Sequence, residues 1–262
     1  MTRQPMASLR VSAAVTALAT LAALGGTAQA ENRAVTYQGK AVRMGQGSAH
    51  TVVHTDAGGK PQAIGIVFTP GALEGLPAAG HAGHGDVPYV LPMPVKGPRT
   101  VVDHAVINWE PGGHPPPQVY DVPHFDFHFY MMGRAEREAI RFNSENESGE
   151  PGQQPPQDLL AQGYIVPPGT AVPEMGVHAV NPASAEFQGQ PFKATFIYGY
   201  HNQQLTFLEP MASLEFLKSK PRFSAPVPRP ARYSKPGAYP SSYTIHYDAA
   251  RKTYEVGLRD LQ

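Results

Sequence analysis

The segment at residues 123–130 alternates polar and aromatic side chains in a way that could support chemistry. His124, Asp126 and His128 are each separated by one phenylalanine. In a β-strand alternate residues share a face, so the three polar side chains point one way and the phenylalanines the other. The phenylalanine face fits a hydrophobic core. The opposite face offers imidazoles and a carboxylate, which can bind a metal or transfer protons.

Strand geometry limits which of these residues can share one ion. Neighbours two residues apart lie roughly 6.6 Å apart along a strand, and His124 and His128 would lie roughly 13 Å apart. Metal–nitrogen bonds are about 2 Å long, so a regular strand offers His124 with Asp126, or Asp126 with His128. Using all three requires a bulge, a strong twist, or Asp126 acting to orient one histidine. Further ligands must come from elsewhere in the chain.

A second segment supplies such a ligand. Gly176 precedes His178, and Asn181 follows shortly after. This arrangement resembles the second half of the cupin metal motif, in which a glycine turn precedes a histidine. The first cupin half is matched only in part, because Asp126-x-His128 stands where a His-x-His pair is expected and the later glutamates are too distant.

These observations predict a divalent metal site. The predicted ligands are His124, Asp126, His128 and His178, and the ions that suit such a set are Zn²⁺, Fe²⁺, Mn²⁺ and Cu²⁺. His114, between two glycines and three prolines, is a further candidate ligand, and His81 with His84 forms a weaker candidate surface site. An open coordination position would allow metal-activated water or oxygen chemistry.

Two other functions fit the same residues. In a metal-free hydrolase or isomerase, Asp126 would orient His124 or His128 as a general base. No Gly-x-Ser-x-Gly nucleophile motif is present, which argues against a serine hydrolase. In a non-catalytic envelope or stress protein, the chain would form a homo-oligomer or bind an unidentified small ligand. The many tyrosines near the C-terminus would then serve packing and interfaces.

The composition favours a folded, turn-rich chain. The sequence of 262 residues has 28 prolines and 26 glycines, yet 41% of its residues are hydrophobic and only 16% are charged. A disordered chain has the opposite balance. The absence of cysteine excludes thiolate ligands and cysteine nucleophiles. A net charge of zero argues against a nucleic-acid partner.

Residues 1–30 have the three parts of a secretory signal peptide. Arg3 and Arg10 are basic, residues 11–24 are apolar, and Ala28 and Ala30 form a small-x-small cleavage site. The apolar run is shorter than the roughly 20 residues that a membrane-spanning helix needs. We therefore predict a secreted or periplasmic protein, cleaved near Ala30 and without a membrane span.

Residues 31–262 are predicted to form one mainly β domain, a β-barrel or sandwich with a cupin-like form as one option. Short helices are expected at 134–142 and 210–218, with a helical turn at 71–76. Residues 143–158 are expected to form an exposed loop, and 221–240 a proline-rich strap without regular structure. The predicted strands are 34–43, 49–55, 62–69, 100–109, 122–131, 164–166, 170–172, 176–180, 192–200 and 204–208, followed by a C-terminal hairpin.

Several runs of this sequence resemble a known family. They are residues 108–116, 119–130, 198–201, 207–211 and 239–248. They are similar to a family of exported bacterial proteins of unknown function, typified by a Thermus protein under extracytoplasmic stress control. The resemblance implies a β-rich exported protein that can form oligomers, and it implies no activity.

Overall fold

Fourteen β-strands form two antiparallel sheets among the residues that the computed structural model describes, which are 1–2, 33–78 and 88–262. Contacts divide the chain into two units, Met1–Glu31 and Asn32–Gln262, and the second is described below. The predicted signal peptide and the candidate pair His81 and His84 lie outside the described residues. The prediction of a mainly β sandwich or barrel is confirmed.

The first sheet is built from both ends of this unit. Its strand order is β1-β3-β4-β14-β13-β12, and β2 also pairs with β3. The C-terminal hairpin therefore lies beside the N-terminal meander. Numbered in chain order, the strands of this sheet are β1 Val35–Gln38, β2 Val42–Met44, β3 Gly47–Thr55, β4 Pro61–Phe68, β12 Arg222–Pro226, β13 Ser242–Asp248 and β14 Thr253–Arg259.

The second sheet is built from the middle of the chain and has the order β5-β6-β7-β11-β10-β9-β8. The histidine-rich strand β7 is internal, between β6 and β11. All seven of its residues are buried, so both of its faces are covered. The strands are β5 Pro88–Pro92, β6 His104–Glu110, β7 His124–Tyr130, β8 Ala171–Val172, β9 Gly176–Ala179, β10 Ala194–His201 and β11 Gln204–Ser213.

Helices are short in the described part of the chain. The α-helices are α1, Arg134–Glu138, and α2, Leu214–Lys218, with single 3-10 turns at Pro70–Leu73, Glu145–Gly149 and Ala185–Gln188. None of the described helices has the length and apolar character that crossing a bilayer requires.

The helix predicted from residue 210 is wrong over its first four residues, which continue β11 instead. Pro210 suits the first turn of a helix, but here it pairs with Phe196 of β10. The pairs Leu208–Phe129 and Met211–Asp126 flank it on the β7 side in one unbroken register. A proline can lie inside a strand where the ladder to one neighbour is interrupted, because it has no N–H to donate. The strand therefore carries Glu209 into the sheet.

Two segments for which no strand was predicted contain edge strands. They are Pro88–Pro92, which forms β5, and Arg222–Pro226, which forms β12 inside the predicted strap. Prolines lie at the ends of both strands, and edge strands tolerate proline because one side has no partner that needs its N–H.

The main hydrophobic core lies between the sheets. The phenylalanine face of β7 belongs to it, and the Phe127 ring stacks on Phe68 of the first sheet at 5.8 Å between ring centroids. Phe196 of β10 likewise meets Tyr243 of β13 at 5.2 Å. This packing fixes which face of β7 is internal to the sandwich. The polar side chains are thereby directed to the other face of the second sheet.

Candidate metal centre

Strand pairing collects the candidate ligands on one face of the second sheet. Residues opposite each other in paired strands share a face. The pairs Leu208–Phe129 and Met211–Asp126 place Glu209 opposite His128. His124, Asp126, His128 and Glu209 therefore point to the same side. All four are nearly inaccessible to solvent, with 0–2% of their surface exposed.

His178 reaches the same side from β9. It pairs with Gly199 of β10, which in turn pairs with Phe207 of β11. A Cβ at Gly199 would lie 2.1 Å from Phe207 Cε1, so only glycine leaves room for this ring. The ring lies 4.6 Å from the ring of His128 and 5.3 Å from that of His178, measured between centroids. Phe207 therefore supports both imidazoles.

Gly176 is needed for a different reason. Its φ is +112°, and a Cβ there would lie 2.2 Å from the backbone oxygen of Tyr200. A side chain would be excluded by both the backbone conformation and the close approach to β10. The glycine lets β9 lie against β10 and so sets the position of His178, two residues later.

The ligand atoms of this face fall into two groups. The first group is His114, His124 and Asp126, and the second is His128, His178 and Glu209. Within each group the nearest ligand atoms lie within 4.8 Å of one another, so each group could hold one ion.

The first group is centred on the Asp126 carboxylate. Its Oδ1 lies 3.2 Å from His124 Nε2, and its Oδ2 lies 3.6 Å from His114 Nε2. The Nδ1 atoms contact backbone carbonyl oxygens at 2.7 Å, those of Val122 for His124 and Pro115 for His114. A carbonyl only accepts, so each Nδ1 carries a proton. Each Nε2 is therefore the nitrogen directed at Asp126.

Electrostatics keep Asp126 ionised. Burial raises the pKa of its carboxyl, but the charge of His124 and hydrogen bonding from His114 and His124 outweigh burial and hold the pKa well below its usual range. Burial likewise lowers the pKa of His114, while Asp126 raises it by more, and the net shift is upward. The two histidines therefore stabilise the charge of Asp126 without a metal.

The second group lacks such compensation. His128 Nε2 lies 3.5 Å from Glu209 Oε1. Neither ring nitrogen of His128, nor Oε2 of Glu209, has a hydrogen-bond partner in the described part of the chain. The Nδ1 of His178 donates to the carbonyl of Thr170 at 3.0 Å, which leaves Nε2 as its ligand nitrogen.

Burial dominates the protonation of the second group. It lowers the pKa of His128 to about 3 and that of His178 to about 4. Burial and the negative charges of Asp126 and Glu110 raise the pKa of Glu209 well above its usual range. Near neutral pH the two imidazoles are therefore neutral, the form in which histidine binds a metal, and the raised pKa of Glu209 favours the protonated carboxyl in the absence of a cation.

Both groups open onto one cavity of about 250 Å³, called the site cavity below. Its polar lining includes His114, Asp126, His128, His178 and Glu209, whereas His124 does not line it. The remaining wall is largely apolar. Its apolar residues are Pro115, Pro116, Pro167, Pro168, Val180, Phe187 and Ile197, with the ring of Tyr120 beside them.

The four ligands predicted from the sequence are thus divided between the two groups. His124 and Asp126 lie with His114, and His128 and His178 lie with Glu209. That they bind a metal stays a prediction. Sequence reasoning missed Glu209 because a strand was expected to end at residue 208 and a helix to begin at 210. A lone acid within an otherwise apolar run was the available signal.

Fold and site together define a β-sandwich protein with a buried His/Asp/Glu cluster. The sequence model of a family described as "TTHB210-like: Hypothetical protein TTHB210" matches residues 56–109, about a fifth of the chain. This match confirms the predicted resemblance to a family of unknown function. The matched segment ends before β7 and contains none of the residues of the two ligand groups. No curated protein and no solved structure matches this chain.

His128 and His178 are each expected to lower the stability of the metal-free chain as the pH falls below about 6.5. Unfolded histidines bind protons below that pH, whereas folded His128 and His178 stay neutral down to about 3 and 4. For each histidine the unfolded state then binds more protons, which lowers the free energy of unfolding by up to about 1.4 kcal/mol per pH unit. The raised pKa of Glu209 acts in the opposite direction, but it is common to the natural chain and H178Q, so the difference between their slopes reports on His178. Urea unfolding at pH 7, 6 and 5 with a chelator measures this slope. An equal slope in H178Q would contradict the assignment to His178.

Proposed function

We propose that this chain is a divalent-metal protein whose ion is held by His128, His178 and Glu209. The observation that supports this most is the buried His128 imidazole, with no hydrogen-bond partner for either nitrogen among the described residues. Leaving buried polar atoms unpaired costs about 1–3 kcal/mol each. A cation bound by His128 Nε2 and the neighbouring Glu209 carboxylate would remove that cost at these two groups.

The donor set fits several ions. Two imidazoles and one carboxylate are the ligands of catalytic zinc sites and of non-haem iron sites with open positions. Mn²⁺ and Cu²⁺ are also compatible with this set. The set contains no sulfur donor, because the chain has no cysteine.

Three protein ligands leave room for a reacting molecule on the side of the site cavity. A divalent ion at such a position polarises bound oxygen atoms and lowers the pKa of water. The chain itself would contribute orientation and a proton. Asp126 and His114 line the same cavity, and their contact holds a proton beside the second group. Phe207 holds the rings of His128 and His178 in place.

Metal analysis of the full chain, expressed without a histidine tag, tests this proposal. We expect about one tightly bound divalent ion per chain after dialysis against a weak chelator. X-ray absorption at the metal edge should show two imidazole ligands. Substoichiometric metal that does not increase on incubation with Zn²⁺, Fe²⁺, Mn²⁺ or Cu²⁺ would contradict it.

The first group is the second candidate for an ion. Its His124 Nε2 and Asp126 Oδ1 are 3.2 Å apart, so one ion could bind both. We rank it below the second group because its two histidines already stabilise the charge of Asp126. The metal-free general-base alternative has less support, since His124 has both ring nitrogens directed at protein groups and does not line the cavity.

Export and self-association remain proposals. The sequence of residues 1–30 supports cleavage near Ala30 and a secreted or periplasmic location. The family resemblance supports a homo-oligomer.

A further inference from the structure

We propose that the site cavity binds a small monocarboxylate with a single apolar ring or a short branched chain, its carboxylate on the open side of the metal. This inference rests on the proposed metal centre. It adds the chemical class of the ligand, which follows from the wall, charge and size of the cavity.

The wall divides into a polar end and an apolar end. The candidate ligands occupy one end, and prolines, Val180, Phe187 and Ile197 occupy the other. Ligand sites of this kind bury the body of the ligand against apolar groups and orient it through a few polar ones. A molecule with one polar head and an apolar body therefore matches the division.

Charge excludes strongly anionic and cationic ligands. The lining residues, all within the described part of the chain, include no lysine or arginine. Asp126 and Glu209 already place two carboxylates beside the ion. A phosphate ester would bring two charges into a buried site without a guanidinium or ammonium to pair them, which is costly. The carboxylate that an amine could meet beside the proposed metal ligands is that of Asp126, which His114 and His124 already contact.

Size limits the ligand further. A dry apolar cavity of about 150 Å³ accommodates benzene in another protein. The site cavity, at about 250 Å³, has room for one ring and one head group. Its lining includes two proline pairs, Pro115-Pro116 and Pro167-Pro168, and all four residues are exposed or partly exposed at the surface. Proline fixes its own φ, so this side of the cavity is rigid and disfavours larger ligands.

Titration of the Co²⁺-loaded full chain tests the proposal, because visible absorption of Co²⁺ reports directly on its coordination. The probes are benzoate, acetate, benzylamine and inorganic phosphate. We expect benzoate to change the Co²⁺ spectrum and to bind about 100-fold more tightly than acetate, from burial of the ring. Benzylamine and phosphate should bind more weakly than benzoate.

Two variants locate the ligand. V180W fills the cavity and should abolish benzoate binding while Co²⁺ stays bound. V95W is the matched control, because Val95 is fully exposed. F187A is a smaller change that removes one ring from the apolar wall and enlarges the cavity. It should lower the affinity for benzoate about tenfold and raise the affinity for 2-naphthoate relative to that for benzoate.

The outcomes separate the two proposals. If Co²⁺ binds with its expected spectrum but benzoate is no tighter than acetate or phosphate, the ligand proposal is overturned and the metal centre stands. Benzoate affinity that is unchanged in both V180W and F187A also overturns it, because the ligand would lie elsewhere. If Co²⁺ does not bind at all, both proposals are overturned.

Discussion

The H128L variant is expected to bind Zn²⁺ at least about 100-fold more weakly than the natural chain. Removing a group that only orients a metal ligand already lowers the metal affinity about 10–100-fold. A larger loss is expected here because His128 is itself a proposed ligand. Glu209→Gln keeps the shape of the carboxyl but removes the charge, so a loss of similar size is expected. Isothermal titration with Zn²⁺ in competition with a chelator measures both affinities.

Stability distinguishes a ligand from a structural histidine in the same variant. Without metal, His128 is a buried imidazole with no hydrogen-bond partner in the described chain, so leucine should leave the free energy of unfolding unchanged or raise it. Zn²⁺ at 1,000 times its dissociation constant should stabilise the natural chain by about 4 kcal/mol and H128L hardly at all. If His128 were purely structural, H128L would instead lower the free energy of unfolding of the metal-free chain.

His104 provides the matched control. It lies on the same face of the second sheet and is also buried, but it stacks on Tyr130 and pairs with Asp103. It belongs to neither ligand group. H104Q should keep the Zn²⁺ affinity of the natural chain. Equal losses in H104Q and H128L would show that any disturbance of this face weakens binding, and would contradict the assigned ligand set.

Phe127→Ala is expected to lower the free energy of unfolding by about 3–5 kcal/mol. Phe127 is fully buried between the sheets, where its ring stacks on Phe68 and lies 6.1 Å from that of Phe125. Removing it leaves a cavity at the centre of the sandwich, because neighbouring strands cannot close around the missing ring. Urea unfolding at neutral pH measures the difference.

Two further substitutions calibrate this result. Phe127→Leu keeps most of the apolar volume and should lose clearly less stability than alanine. Val95→Ala, at a fully exposed position, should change stability by no more than about 0.5 kcal/mol. A loss below about 1 kcal/mol in F127A would contradict the sandwich packing and the assignment of this face of β7 to its core.

The two predictions concern opposite faces of one strand, and this is where sequence reasoning was most informative. The alternation in residues 123–130 is local, and a strand puts alternate residues on opposite faces whatever its neighbours are. The division into a phenylalanine face and a His/Asp face could therefore be predicted. The expected β-sandwich or barrel followed in the same way from several alternating runs and from the proline and glycine content.

Boundaries were predicted less well where proline was the main signal. Pro210 favoured a helix start and the prolines of 221–240 favoured an irregular strap, yet both regions contain strands. Proline only removes the N–H donor and restricts its own φ to values near about −65°. Whether a strand can accept it depends on whether a neighbour needs that bond, which is decided by distant segments.

The residues alone thus determined the types of donor, the absence of thiolates and the face of β7 on which His124, Asp126 and His128 lie. Tertiary structure decided how they are grouped. The pairing of β7 with β11 placed Glu209 opposite His128. Gly199 of β10 left room for Phe207 to contact both His128 and His178. The loop after β6 brought His114 to Asp126. Register between strands far apart in the chain depends on which hydrophobic faces pack together. For that reason two adjacent groups, rather than one four-residue site, emerge only in the folded chain.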